Sequence, residues 1–431
     1  MSATSVGTET CFGQAATIVA RSGESVMGGT SGPDVVVSYG ADPILTGDGN
    51  DLVCVFGGAR PDSEGYLFGI DTGPGDDRVD TRGTSAYIAT GLGGGADQFE
   101  GGPGSDIVSS SGHDDRLRDI EQDFISTGGG ADQVYTSGDS DNVVLGDGND
   151  TVTLTGLTKP EAVLDGGSGA NKLDMHLLDA RRQSWTVDNR AGKLRGDATV
   201  RADWIGFTNF EIVAPGPVEF LGSGLDESLT VGPKVVPGTD GFARIHRWPV
   251  DARMGGGDDV VAFIGGSDDT QFDGGPGTDE LRYTTWLRRL RNTPSEVVLD
   301  LAAGWLTDTE ANWRRRWQAR RFEDANVRNS SGRTHIRGTD GPNLLSAKRS
   351  SADTTIDGES GADVLVGGGG NDSLRGGKGR DSADGRPGGR DRCEAEVVIS
   401  CEKVPESCEA SPMARSGASK PALNLVRRAA V

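Results

Sequence analysis

The 431-residue chain has 68 glycines, 34% hydrophobic residues and 6% aromatics, against an ordinary glycine share of about 7%. That is too little apolar material for one large globular core, and no three-residue glycine period supports a collagen-like helix. The 65 acidic and 43 basic residues leave a net charge of −22, which argues against nucleic acid as a partner. Such a chain is either disordered or uses its acids to hold a hard cation. The acids are periodic, which favours the cation.

In chain order, residues 1–10 read as a flexible lead without the apolar core of a signal peptide. Residues 11–172 read as a first roll. From Thr127 the chain runs TGGGADQVY, TSGDSDNVV, LGDGNDTVT, three consecutive nonads with Asp132, Asp141 and Asp150 in the same place. Asp97, Asp106 and Asp115 keep the same phase. Each nonad has the form GGxGxDxUx, with U apolar. Glycines permit the positive φ of a tight turn, the aspartate offers a hard oxygen, and the residue two further on points inward on a short strand. That position holds Val36, Val53, Val79, Phe99, Val108, Leu117, Val134, Val143, Val152, Val261, Leu281, Leu365 and Leu374, all apolar.

Two nonads make one coil, so turns on one edge recur near every 18 residues. Asp34, Asp51, Asp77, Asp97, Asp115, Asp132, Asp150 and Asn171 read as one continuous column, with the 60–65 segment as a loop bulging from one coil. A patchier column holds Asp42, Asp106 and Asp141. Stacked carboxylates about 4.8 Å apart repel by about 3 kcal/mol at an effective dielectric near 20, unless a cation bridges them.

Residues 173–250 lose the nonad and read as a β cassette without ions, a hairpin followed by a strand that rejoins the roll. Residues 251–283 read as a short second roll with Asp259 and Asp279. Residues 284–337 repeat the cassette plan. Within it, Trp313 and Trp317 are four apart, which suits one face of a short helix. With Arg314, Arg315, Arg316, Arg320 and Arg321 it forms a basic patch. The simpler account is a solvated helix packing two tryptophans; the functional one is a site for an anionic cell-wall polymer or glycan. Residues 338–401 return to nonads with Asp363, Asp372 and Asp381, and residues 402–431 read as a disordered tail. No apolar stretch is long enough to span a bilayer.

With these tandem nonads the chain resembles the hemolysin-type, or RTX, calcium-binding repeat proteins over most of residues 11–401. The opening CFGQAATIVARSGESVMGGTSGPDVVV and the ending GGRDRCEAEVVISCE resemble the secreted bacterial branch that carries the repeats without a toxin domain. The resemblance implies an all-β fold, a right-handed parallel β-roll or β-helix solenoid interrupted by the two ion-free cassettes. It implies an extracellular or cell-surface location and several Ca²⁺ ions. Their ligands would be Asp34, Asp51, Asp77, Asp97, Asp106, Asp115, Asp132, Asp141, Asp150, Asp259, Asp279, Asp363, Asp372 and Asp381, together with turn carbonyls. Asn171 and Asn343 replace the carboxylate, and the copies at Asp42, Asp226 and Asp269 are degraded, so no ion is expected there.

The cysteines fit the same plan. Cys393 sits two after Asp391, and a bridge to Cys401 would close the last coil; Cys401 could instead pair with Cys408. Cys11 and Cys54 would tie the lead to the second coil. No HExxH or GxSxG context surrounds His113, His176, His246 or His335. An enzyme is not expected. The alternative is a carbohydrate-active β-helix of the lyase or epimerase type, for which Arg201, Asp203, Glu211 and Arg244 are the raw material.

Overall fold

A computed structural model describes residues 9–57, 69–111, 121–136, 140–155, 162–177, 183–197, 199–232, 234–237, 243–246, 248–285, 295–310, 313–328, 331–387 and 389–401. Asp115, Leu117, His113, Cys408, the 60–65 loop and the tail lie outside them. The described residues are all-β, with no helix. The chain divides into two compact units, Met1–Pro217 and Val218–Val431.

In the first unit, short strands alternate between two parallel sheets. One stacks Ile18–Arg21, Val35–Tyr39, Leu52–Val55, Arg78–Asp80, Gln98–Glu100, Phe124–Ser126, Asn142–Val144 and Ala162–Asp165. The other stacks Val26–Met27, Ile44–Leu45, Ile70–Asp71, Ile88–Gly91, Asp106–Ser109, Gln133–Thr136, Thr151–Thr155, Asn171–His176 and Phe207–Val213. The period-two pattern places the core between the sheets. Val36, Val53, Val79, Phe99, Ile125 and Val143 are in register and fully buried. Every described apolar residue two places after a nonad aspartate is buried.

The cassette of this unit is an antiparallel excursion. Trp185–Asp188, Lys193–Gly196 and Thr199–Ile205 form a meander, and the last strand rejoins the parallel sheet beside Ala162–Asp165. Trp185 and Trp204 fill its core.

The second unit repeats the plan. One parallel sheet holds Ser228–Val231, Val260–Phe263, Glu280–Thr284, Asp324–Arg328, Leu344–Ser346, Val364–Val366, Ser382–Asp384 and Val397–Ile399. The facing sheet runs from Val218–Leu221 through Val250–Arg253 and Gln271–Asp273, and from Arg333–Arg337 to Arg392–Glu394. Its antiparallel excursion is Ser295–Asp300, Trp305–Glu310 and Trp313–Arg320. The helix expected around Trp313 and Trp317 is therefore a strand. A spacing of four satisfies period two as well as period 3.6, and the neighbours decide it: Trp317 and Ala319 are buried while Arg314, Arg316 and Arg320 are exposed.

Both ends of the described chain are stapled. The hairpin of Thr10–Cys11 and Gln14–Ala15 joins a cluster on the outer face of the first coils, where Val35, Val37, Leu52 and Cys54 pack under Cys11. A Cys11–Cys54 disulfide fixes it, with Cα atoms 5.6 Å apart. Cys393 is bridged to Cys401, so of the two pairings open for Cys401 the closure of the last coil is the one formed. Such caps protect the open ends of a solenoid.

Turn glycines set how closely coils stack. Gly73 and Gly75 have φ of 82° and 149°, a region closed to most L-residues. A Cβ on Gly75 would also drive into the Gly49 carbonyl of the preceding coil. Gly94, in the next turn, has open space around it. Gly75→Ala should therefore destabilise the first unit by about 3 kcal/mol, and Gly94→Ala by well under about 1 kcal/mol. Denaturant melts in calcium check this; equal effects would show that stacking does not limit the turn.

Candidate metal centres

The nonad aspartates form ladders along the roll edges. On one edge of the first unit the Asp34 amide donates to Asp51 Oδ1 at 2.8 Å, Asp51 to Asp77 at 2.7 Å, and Asp77 to Asp97 at 2.7 Å. The ladder continues from Asp97 to Asp123 at 2.9 Å and from Asp123 to Asp141 at 3.1 Å. On the other edge the Asp106 amide donates to Asp132 at 2.7 Å, Asp132 to Asp150 at 2.8 Å, and Asp150 to Asn171 at 2.9 Å.

This corrects the column read from spacing. Asp132 and Asp150 do not follow Asp97; they stand on the opposite edge with Asp106, and Asp141 belongs with Asp97. The coil after Asp97 takes 26 residues to return. The nonad is half a coil, so counting in steps of 18 through a longer coil lands on the wrong edge.

The second unit has equivalent ladders. One runs through Glu227, Asp259, Asp279 and Glu323, with amide-to-carboxylate distances of 2.8 to 2.9 Å. On the same strand series, Asn343, Asp363, Asp381 and Glu396 are linked at 2.7 to 3.0 Å. On the other edge Thr354 donates to Asp372 and Asp372 to Asp391, at 2.8 and 2.9 Å. Asp123, Glu227, Glu323, Asp391 and Glu396 are rungs that the nonad pattern missed. Four of them precede a buried residue by two places, Ile125, Leu229, Ala325 and Cys393, and that signal alone would have found them. At the relaxed copy LGSGLDESL the rung is Glu227, while Asp226 is exposed.

Each ladder aspartate is buried, and all but Asp34 and Asp106, the first rungs of their ladders, use Oδ1 to accept the neighbouring amide. The other oxygen of Asp150, Asp259, Asp279 and Asp363 is buried without a hydrogen-bond partner. Burial is the main reason the carboxyls titrate high: Asp77 and Asp259 are pushed up to about 7, Asp106 to about 8, and Asp132, Asp279 and Asp363 to about 6. Repulsion from the next rung adds to it, as from Asp132 at Asp106. A buried, half-satisfied carboxylate is costly.

These residues fit a hard cation. At Asp279 and Asp363 the free oxygen lies over a turn glycine, where a Cβ would collide with it and with a carbonyl of the stacked coil: Asp279 Oδ2 and the Arg321 carbonyl at Gly274, Asp363 Oδ2 and the Gly376 carbonyl at Gly358. The cradle is lined by oxygen and kept open by glycine, which is what Ca²⁺ takes. Among the described residues no three acidic, histidine or cysteine side chains converge, so the carboxylates can serve an ion only together with turn carbonyls.

The family model of the RTX calcium-binding nonapeptide repeat matches in four copies, over residues 92–118, 121–152 and 350–387. The chain carries RTX calcium-binding repeats. No curated protein is significantly similar to it. The RTX match takes in Asp97, Asp106, Asp115, Asp132, Asp141, Asp150, Asp363, Asp372 and Asp381. Asp34, Asp51, Asp77, Asp259 and Asp279 lie outside it, yet their rungs have the same amide-to-carboxylate geometry. This is a calcium-binding repeat protein with a parallel β-roll architecture.

The remaining acids of the cassettes are differently placed. Asp203 is bridged to Lys193 at 2.7 Å and Glu211 to Lys172 at 2.6 Å, on strands of different sheets. The side chain of Arg244 lies outside the described residues. Among the described residues, no helix is long and apolar enough to cross a membrane.

Proposed function

We propose that the chain is an extracellular or cell-surface structural protein whose rolls are completed and stiffened by several calcium ions. The observation that carries this is the ladder of buried carboxylates, at Asp279 and Asp363 with one oxygen spent on the neighbouring coil and the other left over a glycine cradle. Binding energy at such sites is folding energy, because the unfolded chain has no preformed site. The two disulfides support the location, since such bridges persist in oxidising compartments. Extracellular calcium is high enough to fill sites of modest affinity.

In equilibrium dialysis with Ca²⁺, Asp132→Ala and Asp150→Ala should each lower the ions bound per chain. Asp269→Ala, at an exposed residue with no rung geometry, should leave the number unchanged. Equal losses in all three would overturn the site assignment. Location is tested separately, by recovering the native chain from the medium or surface fraction with Cys11, Cys54, Cys393 and Cys401 unreactive to thiol reagents. Recovery only from cytosol, with reactive thiols, would refute it. This reading assigns no catalytic step. The alternative of a carbohydrate-active β-helix would show itself as cleavage or epimerisation of an acidic polysaccharide.

A further inference from the structure

We propose that the outer face of the strand Trp313–Arg320, with its antiparallel neighbour Trp305–Glu310, binds a carboxylate-bearing polysaccharide, a polyuronate. The face stands out by its unspent charge. Other arginines of this unit are neutralised, Arg253 by Asp251 at 2.7 Å, Arg282 by Glu280 at 2.6 Å and Arg321 by Asp273 at 2.5 Å. Arg314 and Arg316 are exposed, and no carboxylate lies within ion-pair distance of either among the described residues. Their inward neighbours hold the strand rigid, Arg315 donating to the Gly266 carbonyl at 2.6 Å and Trp317 Nε1 to the Ser267 carbonyl at 2.8 Å. Two free guanidinium groups about 7 Å apart on a fixed strand make a preorganised row on a protein of net charge −22.

The surroundings of the row suit a sugar. The Arg316 guanidinium lies 3.7 Å from the centre of the Trp305 ring, which keeps its plane fixed and presents an amphipathic surface for the C–H face of a pyranose. Thr309 stands opposite Arg314 and Gln318 opposite Trp305, both half-buried, giving neutral donors and acceptors for hydroxyls. Thr309 also lines a groove with Ser295, Glu296, Ser331, Arg333 and Asp353. Planar guanidinium matches planar carboxylate in a bidentate pair. A nucleic acid brings about one phosphate per 1.7 Å of duplex, far more charge than this short row can neutralise against the field of the whole chain. A polyuronate brings one charge per sugar.

The proposal rests on the extracellular reading only for its setting, because it is tested on purified protein. Short oligogalacturonates, too short to gel, are titrated in calcium and followed by tryptophan fluorescence and calorimetry. The wild type should bind, and Arg314→Gln with Arg316→Gln should weaken binding by about tenfold or more. Calcium stoichiometry and melting temperature should not change, since both side chains are exposed. Arg316→Lys should recover charge but not full affinity. Absence of binding by the wild type, equal binding by the double variant, or equal affinity for duplex DNA or a neutral dextran would each overturn the proposal. A failure here with calcium binding intact leaves the metal centres standing.

Discussion

Removing calcium with EGTA at neutral pH should lower the melting temperature by about 10 °C or more, and magnesium should not restore it. Neighbouring buried carboxylates about 5 Å apart repel by about 3 kcal/mol at an effective dielectric near 20. Each rung recovers part of this through one amide donated to a charged oxygen, worth about 1.5–3 kcal/mol. Without an ion the two effects nearly cancel, and the thin apolar filling between the sheets must offset chain entropy alone. An ion at 100 times its dissociation constant adds about 2.7 kcal/mol per site, and several sites in a unit of this size move the transition by the stated amount. Mg²⁺ is smaller, demands octahedral geometry and gives up water reluctantly, so it does not suit a cradle of stacked carbonyls.

The loss should also be uneven. Hydrogen exchange in EGTA should open the turn-rich coils around Asp77 and Asp363 first. Protection should persist in the cassette of the first unit, where Trp185 and Trp204 are buried and Trp204 packs against Phe210 without a rung between them. An unchanged melting temperature in a protein shown to bind calcium would mean that the ladders hold the solenoid without the ion.

What the sequence made legible follows from local rules, and what it hid follows from long-range ones. The apolar residue two places after each aspartate is a local consequence of strand alternation, and Val134, Val152 and Leu365 lie buried as that rule requires. The pairing of Cys11 with Cys54, offered beside the resemblance, is the one formed. The edge on which an aspartate stands is not local. It depends on the length of every preceding loop, and the 26-residue return from Asp97 to Asp123 switched the assignment of all later rungs in that unit. Glu323 and Glu396 escaped because a longer side chain reaches the same amide from a turn without the nonad glycines, and Glu227 because it follows the exposed Asp226 that holds the nonad position. The strand at Trp313 was hidden because two tryptophans four apart obey both periods, and only the exposed arginines between them tell the two apart.

In the absence of calcium, the protein should be more stable near pH 5 than near pH 8. Burial holds the ladder carboxyls above their unfolded value of 3.8: about 6 for Asp132, Asp279 and Asp363, about 7 for Asp77 and Asp259, and about 8 for Asp106. Between that unfolded value and these folded values the native state binds more protons than the unfolded chain, so stability falls as pH rises. The contribution is complete below the unfolded value and is lost as pH climbs through the 6 to 8 window. A protonated rung keeps Oδ1 as an acceptor, loses its repulsion and gains a donor, so a proton does part of what an ion does. Ion-paired acids such as Asp80, whose burial is outweighed by the Arg82 guanidinium, titrate low and are lost as partners in stronger acid, which sets a lower bound to the gain. With saturating calcium the slope should reverse, because the ion takes the deprotonated carboxylate and protons compete with it. Melting curves in EGTA across this range decide the matter: a melting temperature that rises from pH 5 to pH 8 without calcium would show that the buried rungs are not the groups that govern stability.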